Sequence, residues 1–209
     1  MIKSLLLCAV IALPASAQDA TLVKMKGPVS RLVAGSKKFI PAKGGEGMVF
    51  GDTIRVGKGG IAQLALSDRG AILLREQTIM TLKGTTQRTE LSVAFGEFLV
   101  GLRKKLGPGQ SFKVRTSAAV AAVRGTLFWG KADKADKSTT YAGFGNTVAV
   151  RALGKTVIVE PGQTVTVAYG EAPADPVPSA IGLDYAQKFA IDGSLQDIES
   201  LAETEKLKK

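Results

Sequence analysis

The chain has 209 residues, a net charge of +10, no histidine and one cysteine. The absence of histidine excludes a Ser-His-Asp triad, a Cys-His pair and a histidine-based zinc site. The single Cys8 excludes a thiolate metal cluster and an internal disulfide. Hydrophobic residues make up 45% of the chain and charged residues 22%, which is typical of a globular protein. We therefore expect no metal site and no cofactor.

The N-terminus has the pattern of a secretory signal peptide. A lysine precedes the apolar run from Leu5 to Leu13, and Ala15-Ser16-Ala17 then matches the small-x-small pattern of a cleavage site before Gln18. The run is too short for a membrane anchor, which needs roughly 20 apolar residues. Cys8 lies inside the run, after a large residue, which argues against lipoprotein acylation. We predict a cleaved signal peptide over residues 1–17 and a periplasmic or secreted protein.

A six-residue pattern recurs four times in the mature chain: Gly, a polar residue, Thr, a β-branched residue, any residue and Val. It begins at Gly51, Gly145, Gly154 and Gly162. Glycine tolerates the positive φ of a turn, and side chains then alternate between the two faces of a strand. The side chains expected to point inward are Ile54, Val56, Val148, Val150, Val157, Val159, Val165 and Val167. Those expected to point outward are Thr53, Arg55, Thr147, Thr156, Thr164 and Thr166.

The rest of the mature chain up to Ala168 supports the same fold class. Alternating apolar residues recur between turn sequences, and no stretch has a sustained helical period of 3.6 residues. We therefore predict an all-β domain over residues 21–171. Its short antiparallel strands would form a meander, a sandwich or a β-helix-like coil.

The composition changes after residue 171. Residues 172–178 include three prolines, so we expect a semi-rigid linker that leaves the sheet. Ser194 has the position of an N-cap before a narrow apolar stripe, which predicts a short helical tail. The linker and tail together occupy residues 172–209. We expect the tail to pack on its own domain, or to be loosely tethered, rather than to bind a partner.

Two sequence motifs resemble a known family. The first is Gly51-Asp52-x-Ile54-x-Val56-Gly57, followed by Gly60-x-Ala62-x-Leu64-x-Leu66-x-Asp68-x-Gly70. The second, which is more specific, is Phe112-x-Val114-x-Thr116, followed by Val123-Arg124-Gly125-Thr126-x-Phe128. Both resemble the FecR domain, whose family is named for the periplasmic sensor of iron(III)-dicitrate uptake. The resemblance extends from about Gly27 to Val167.

The resemblance implies a non-catalytic, β-rich periplasmic module. Regulatory members of the family carry a cytoplasmic anti-sigma segment and a transmembrane helix ahead of the domain. The predicted signal peptide instead makes this chain similar to the free-standing, exported members. Two departures from the family pattern are Arg69 after Asp68, where glycine is usual, and Trp129, where an aliphatic residue is commoner.

The family signature supplies the candidate site residues, for which we favour a structural role. They are Gly51, Asp52, Asp68, Gly70, Val123, Arg124, Gly125 and Thr126. Arg124 leaves two alternatives open. Its guanidinium would either pair with an internal carboxylate such as Glu97 or Asp52, or bind a carboxylate or phosphate of a partner.

Basic clusters provide a second set of candidates, because positive charge attracts anionic envelope material. Arg103, Lys104 and Lys105 form one possible anion-binding cluster, and Lys37, Lys38 and Lys43 form another. Solvated charge is the simpler interpretation of both. Nucleic acid is not expected as a partner, because export removes the opportunity and the chain has few aromatic residues for base stacking.

Catalysis is the competing class of function. Asp52, Asp68, Glu76, Glu90 and Glu97 are the carboxylates considered for an acid/base pair, but their spacing selects no two of them. We therefore expect a non-enzymatic binding or scaffolding module of the bacterial envelope, with an unidentified protein partner. The alternative is a charge-driven binder of anionic lipid or glycan.

Overall fold

The computed structural model describes residues 18–66, 69–103, 106–123, 125, 127–182 and 185. These residues form seventeen β-strands in two sheets, and the fold-class prediction of an all-β protein is confirmed. Sheet A contains, in spatial order, β4 (Glu46–Met48), β1 (Ala20–Lys26), β6 (Ile61–Ala65), β7 (Gly70–Leu74), the second half of β9 (Arg88–Leu102), β12 (Leu127–Ala132), β13 (Thr139–Gly143), β16 (Gln163–Val167) and β17 (Val177–Pro178).

Sheet B has a matching arrangement around the first half of β9. Its strands, in spatial order, are β3 (Ile40–Pro41), β2 (Val29–Leu32), β5 (Thr53–Val56), β8 (Thr78–Gly84), the first half of β9, β10 (Ser111–Arg115), β11 (Val120–Val123), β14 (Val148–Ala152) and β15 (Lys155–Val159). Neighbouring strands of both sheets are antiparallel, except that β9 and β10 run parallel. The pairings therefore match the sandwich alternative and not a coil of parallel strands.

The 15-residue strand β9 belongs to both sheets. Its first half pairs with β8 and β10, and its second half pairs with β7 and β12. The change of sheet occurs at Gly96, whose φ of 112° is accessible mainly to glycine. A β-carbon at Gly96 would lie 2.4 Å from the Cα of Thr78. The strand therefore crosses between the sheets at a point where another residue would be strained and crowded.

The main hydrophobic core lies between the two sheets. Inward-facing residues of both sheets form one buried cluster, which includes Leu64, Phe98 and Phe128 from sheet A and Ile54 and Phe112 from sheet B. The rings of Phe98 and Phe128 pack edge to face at a centroid distance of 6.2 Å. Such aromatic pairs stabilise a core beyond the area they bury.

The four repeats form β5, β14, β15 and β16, as their shared pattern predicts. All eight side chains expected to point inward are buried. Of those expected to point outward, only Thr53 is buried. Its hydroxyl group shares a hydrogen bond with that of Thr81 on the neighbouring strand, so the buried polar group has a partner.

The expectation that the proline-rich segment leaves the sheet is wrong at its end. Val177 and Pro178 form β17 and pair with Thr164 and Gln163 at the edge of sheet A. Proline is compatible with an edge strand, because its missing N–H then costs no ladder hydrogen bond.

The predicted signal peptide and almost all of the predicted helical tail lie outside the described residues. The first described residue is Gln18, and β1 begins two positions later. No helix in the part of the chain that the structure describes is long and apolar enough to cross a membrane.

Candidate functional site

Asp52 of the family signature is a buried structural carboxylate. Its side chain is fully buried and accepts hydrogen bonds from Arg31 at 2.5 Å, from the Ala34 amide at 2.8 Å and from the Val49 amide at 2.9 Å. Arg31 also binds Glu46 at 2.7 Å. Asp52, which directly precedes β5, is therefore hydrogen-bonded to β2, to the segment after β2 and to the segment after β4. The bond to Arg31 is charge-assisted and is therefore stronger than one between neutral groups.

The described glycines of the signature occupy backbone positions that exclude larger residues. A β-carbon at Gly70 would lie 1.9 Å from the carbonyl oxygen of Gly101 on the paired strand. Gly125 has a φ of 124°, and its carbonyl oxygen accepts a hydrogen bond from Asn146 at 2.9 Å. Such geometry strains any residue with a side chain.

Two of the remaining signature positions are described, of which Val123 is buried and Gly51 is exposed. Gly51 has a φ of 103° and precedes Asp52, and Val123 is buried at the end of β11. Asp68, Arg124 and Thr126 lie outside the described residues. Both carboxylates considered as internal partners of Arg124 have other partners: Asp52 binds Arg31, and Glu97 binds Trp129.

The candidate anion-binding residues are placed only in part. Arg103 is exposed, and its backbone amide donates to the carbonyl oxygen of Arg69 at 2.7 Å. Lys104 and Lys105 lie outside the described residues. Lys37 and Lys38 are exposed in the loop between β2 and β3.

The described carboxylates considered for catalysis are each engaged by another group. Glu76 accepts the Gly59 amide at 2.6 Å. Glu90 forms two hydrogen bonds with Arg115, at 2.9 and 3.1 Å, and these bonds lower the pKa of Glu90. Asp52 and Glu97 have the partners described above. Each of these contacts is made with an amide, an arginine or an indole, and none joins two carboxyl groups.

An open cleft of about 500 Å³ lies where β9 changes sheets. Phe95 lines it together with the cations Arg55, Lys131 and Lys134. The ammonium group of Lys134 lies 5.0 Å from the centre of the Phe95 ring, which is within cation–π range. The carboxylates Glu76, Glu97 and Asp133 also line the cleft. The cleft therefore offers an aromatic surface between charges of both signs.

Glu97 also connects this cleft to an aromatic pair on sheet A. Its Oε1 accepts a hydrogen bond from the indole Nε1 of Trp129 at 2.9 Å. The ring of Tyr185 packs edge to face on Trp129 at a centroid distance of 5.8 Å. Burial, followed by the hydrogen bond and negative charge of Glu97, raises the pKa of Tyr185 to about 12.

Sequence reasoning did not find the cleft or the aromatic pair. Their residues come from β5, β9, β12 and the segment after β17, which are distant in sequence. One signal was present, since Trp129 departs from the aliphatic residue that is commoner in the family. Among the described residues, no group of three or more histidine, cysteine, aspartate or glutamate side chains is arranged to hold a metal ion.

Comparison with known proteins finds a family model that matches the central part of the chain. The family model described as FecR protein matches residues 52–149, which is narrower than the resemblance expected from the motifs. No curated protein sequence matches the chain.

Two similar solved structures are crystal structures of proposed anti-sigma factors from Parabacteroides distasonis. The first is 22% identical, with a TM-score of 0.52, and the alignment covers 61% of this chain and 58% of that one. The second is 19% identical, with a TM-score of 0.55, and the alignment covers 72% of this chain and 74% of that one. This chain thus spans little more than half of the first structure. At these identities the likeness shows a shared fold.

Proposed function

We propose that the protein is a non-enzymatic module of the bacterial cell envelope that binds a protein partner in signalling, because the family model described as FecR protein matches residues 52–149. The solved structures with the same fold are described as proposed anti-sigma factors, which supports a role in signalling. The sequence Ala15-Ser16-Ala17, which ends shortly before β1, supports export to the periplasm.

The observation that carries this proposal is the cleft at the crossing of β9. Its aromatic surface can pack against the apolar side chains of a peptide, and its charges of both signs can pair with the charged ones. The carboxylates considered for catalysis that the structure describes accept hydrogen bonds from amides, an arginine or an indole. Binding therefore explains this arrangement more simply than acid/base catalysis does.

Site-specific photo-crosslinking in living cells tests the proposal. A photo-crosslinking amino acid at Lys134, beside Phe95 in the cleft, should capture a defined envelope protein. The matched control is Lys113, an exposed lysine on β10 outside the cleft, which should capture much less of it. Equal capture from both positions, or no protein adduct from Lys134, would contradict the proposal. The intact mass of the exported protein itself should correspond to a chain that begins at Gln18.

A second candidate is a charge-driven binder of anionic lipid or glycan. Lys113, Arg115 and Arg151 are exposed on strands of sheet B, and the chain has a net charge of +10. Sedimentation with vesicles that contain phosphatidylglycerol tests this alternative. Binding that falls steeply with added salt supports it, because salt screens attraction between exposed charges. Binding only to a protein partner, with none to vesicles at low salt, rejects it.

A further inference from the structure

The outward-facing surfaces of the two sheets differ in chemistry. On sheet B, the outer face carries polar and charged side chains such as Glu90, Lys113 and Arg115, as expected for a sheet that faces water. On sheet A, six of the side chains that alternate with the core residues are apolar and form a separate buried cluster: Ala71, Leu73, Leu99, Leu127, Trp129 and Ala142. A sheet face with this composition needs a cover.

The cover includes the chain segment after β17. We name this segment the strap and define it by Ser179, Ile181, Gly182 and Tyr185. Ile181 and Tyr185 pack on the apolar cluster of sheet A. The strap starts at Ser179, directly after β17. The Ser179 amide donates a hydrogen bond to the carbonyl oxygen of Gly162 at 2.8 Å, which holds the start of the strap at the edge of sheet A.

A turn then directs the strap across the sheet. The Ser179 hydroxyl accepts a hydrogen bond from the Ile181 amide at 3.0 Å, and the Tyr185 amide donates to the carbonyl oxygen of Gly182 at 3.1 Å. Tyr185 thereby reaches Trp129, which is only 4% exposed on the outer face. The contact between these two rings is the aromatic part of the interface.

Glu97 lies at this interface. Its carboxylate accepts a hydrogen bond from Trp129 at 2.9 Å and interacts with the Tyr185 hydroxyl, whose pKa it raises. A phenol at this position can contact both the indole and the carboxylate. An aliphatic residue at position 185 would fill space but would place no hydroxyl group near the carboxylate.

We propose that the outer face of sheet A is a docking surface for an aromatic-bearing peptide segment, and that the strap of the same chain is its resident, reversible occupant. This inference is independent of the proposed function, which concerns the cleft. The strap follows the proline-rich residues 172–178, which tether it near the face and give it a high effective concentration. The tether is attached to sheet A through the two-residue strand β17, whose side chains are exposed. Release of the strap would open an apolar surface around Trp129.

Trp129 is the only tryptophan of the chain, so its fluorescence reports the strap directly. Tyr185→Ala in the full chain should shift the emission to the red and increase acrylamide quenching several-fold. Tyr169→Ala is the matched control, because Tyr169 is 58% exposed and its ring contacts Lys137 rather than the strap. This control should have the emission of the unmodified protein. Circular dichroism should show the same β-sheet content in all three proteins.

A peptide with the sequence of residues 177–190, added to the Tyr185→Ala protein, tests whether the face is a docking surface. The peptide should return the emission and the quenching to those of the unmodified protein, and the same peptide with Tyr185→Ala should not. Failure of the first peptide to restore the emission at millimolar concentration would overturn the proposal, because it would make the strap an inseparable part of the fold. Unchanged quenching in Tyr185→Ala would also overturn it.

Sedimentation of the unmodified protein identifies the chain that supplies the strap. A monomer with a shielded Trp129 supports the assignment to the same chain. A dimer that dissociates in the Tyr185→Ala variant would contradict it, because the strap would then come from a second copy.

Discussion

Trp129 and Glu97 are diagonal neighbours across the β9–β12 strand pair, and the indole Nε1 donates to the carboxylate at 2.9 Å. Trp129 lies opposite Leu99, so Glu97 is two residues away along β9. Diagonal contacts of this kind are within reach of long and aromatic side chains. The bond fixes the indole on the outer face of sheet A, between the cleft and the strap.

Asp52→Ala should destabilise the protein strongly. The substitution leaves the half of the Arg31 guanidinium that binds Asp52 buried without its partner, and it removes the acceptor of two backbone amides. Loss of one partner of a buried ion pair costs about 3–5 kcal/mol. Urea denaturation followed by circular dichroism measures the change in the free energy of unfolding.

The control for Asp52 is Asp175→Ala, which removes a carboxylate that binds Lys155 at 3.2 Å but is 91% exposed. Exposed pairs contribute at most about 1 kcal/mol. Equal losses in the two variants would show that Asp52 is not a structural centre.

Gly96→Ala should lower the melting temperature, because Gly96 combines a positive φ with a close approach to Thr78. Backbone strain at such a position costs roughly 1–3 kcal/mol, and displacement of the Thr78 backbone adds to it. Gly44→Ala is the control, because no atom lies within 4 Å of its expected β-carbon. A melting temperature of Gly96→Ala that equals that of the control would refute the crossing role of Gly96.

Alkaline pH should release the strap. The folded-state pKa of Tyr185 is raised to about 12 from the usual value near 10.0, so the folded protein retains the phenol proton more strongly than the unfolded chain. This stabilisation is complete below pH 10 and is lost as the pH rises toward 12. The charged groups that act on Tyr185 are Glu97, which raises its pKa, and Arg75, which lowers it.

The measurement is the emission of Trp129 as a function of pH. The unmodified protein should show a red shift between about pH 10 and pH 12 that Tyr185→Phe lacks, since the phenyl ring cannot ionise. The difference in phenolate absorbance between these two proteins gives the pKa of Tyr185 independently. A pKa of Tyr185 near 10 would contradict the buried contact with Glu97.

Gly125→Val should also lower the stability, by roughly 1–3 kcal/mol, because the φ of Gly125 is 124°. Arg124→Ala separates the two alternatives for the neighbouring arginine. If Arg124 is an internal partner of a carboxylate, its loss lowers the melting temperature as Gly125→Val does. A normal melting curve together with reduced photo-crosslinking would instead make Arg124 a binding residue.

The sequence alone determined the all-β class and the faces of the repeated strands. This was possible because alternation with a period of two, together with the glycine at each turn, is a local property of the chain. The buried residues Val148, Val150, Val157 and Val159 follow directly from it. The same local logic could not predict β17, because an edge strand of two residues has no alternation to detect.

Only the tertiary structure decided which residues share a site. Arg31 and Asp52 meet because β2 pairs with β5, and Glu97, Trp129 and Tyr185 meet because β9 changes sheets and the strap returns across β12. No periodic pattern in the sequence predicts either contact, because each depends on the order of the strands in the sheet rather than on spacing along the chain. Side-chain alternation predicts which residues point away from the core. It cannot predict that the apolar outer face of sheet A is buried, because the residues that pack on it come from distant parts of the chain.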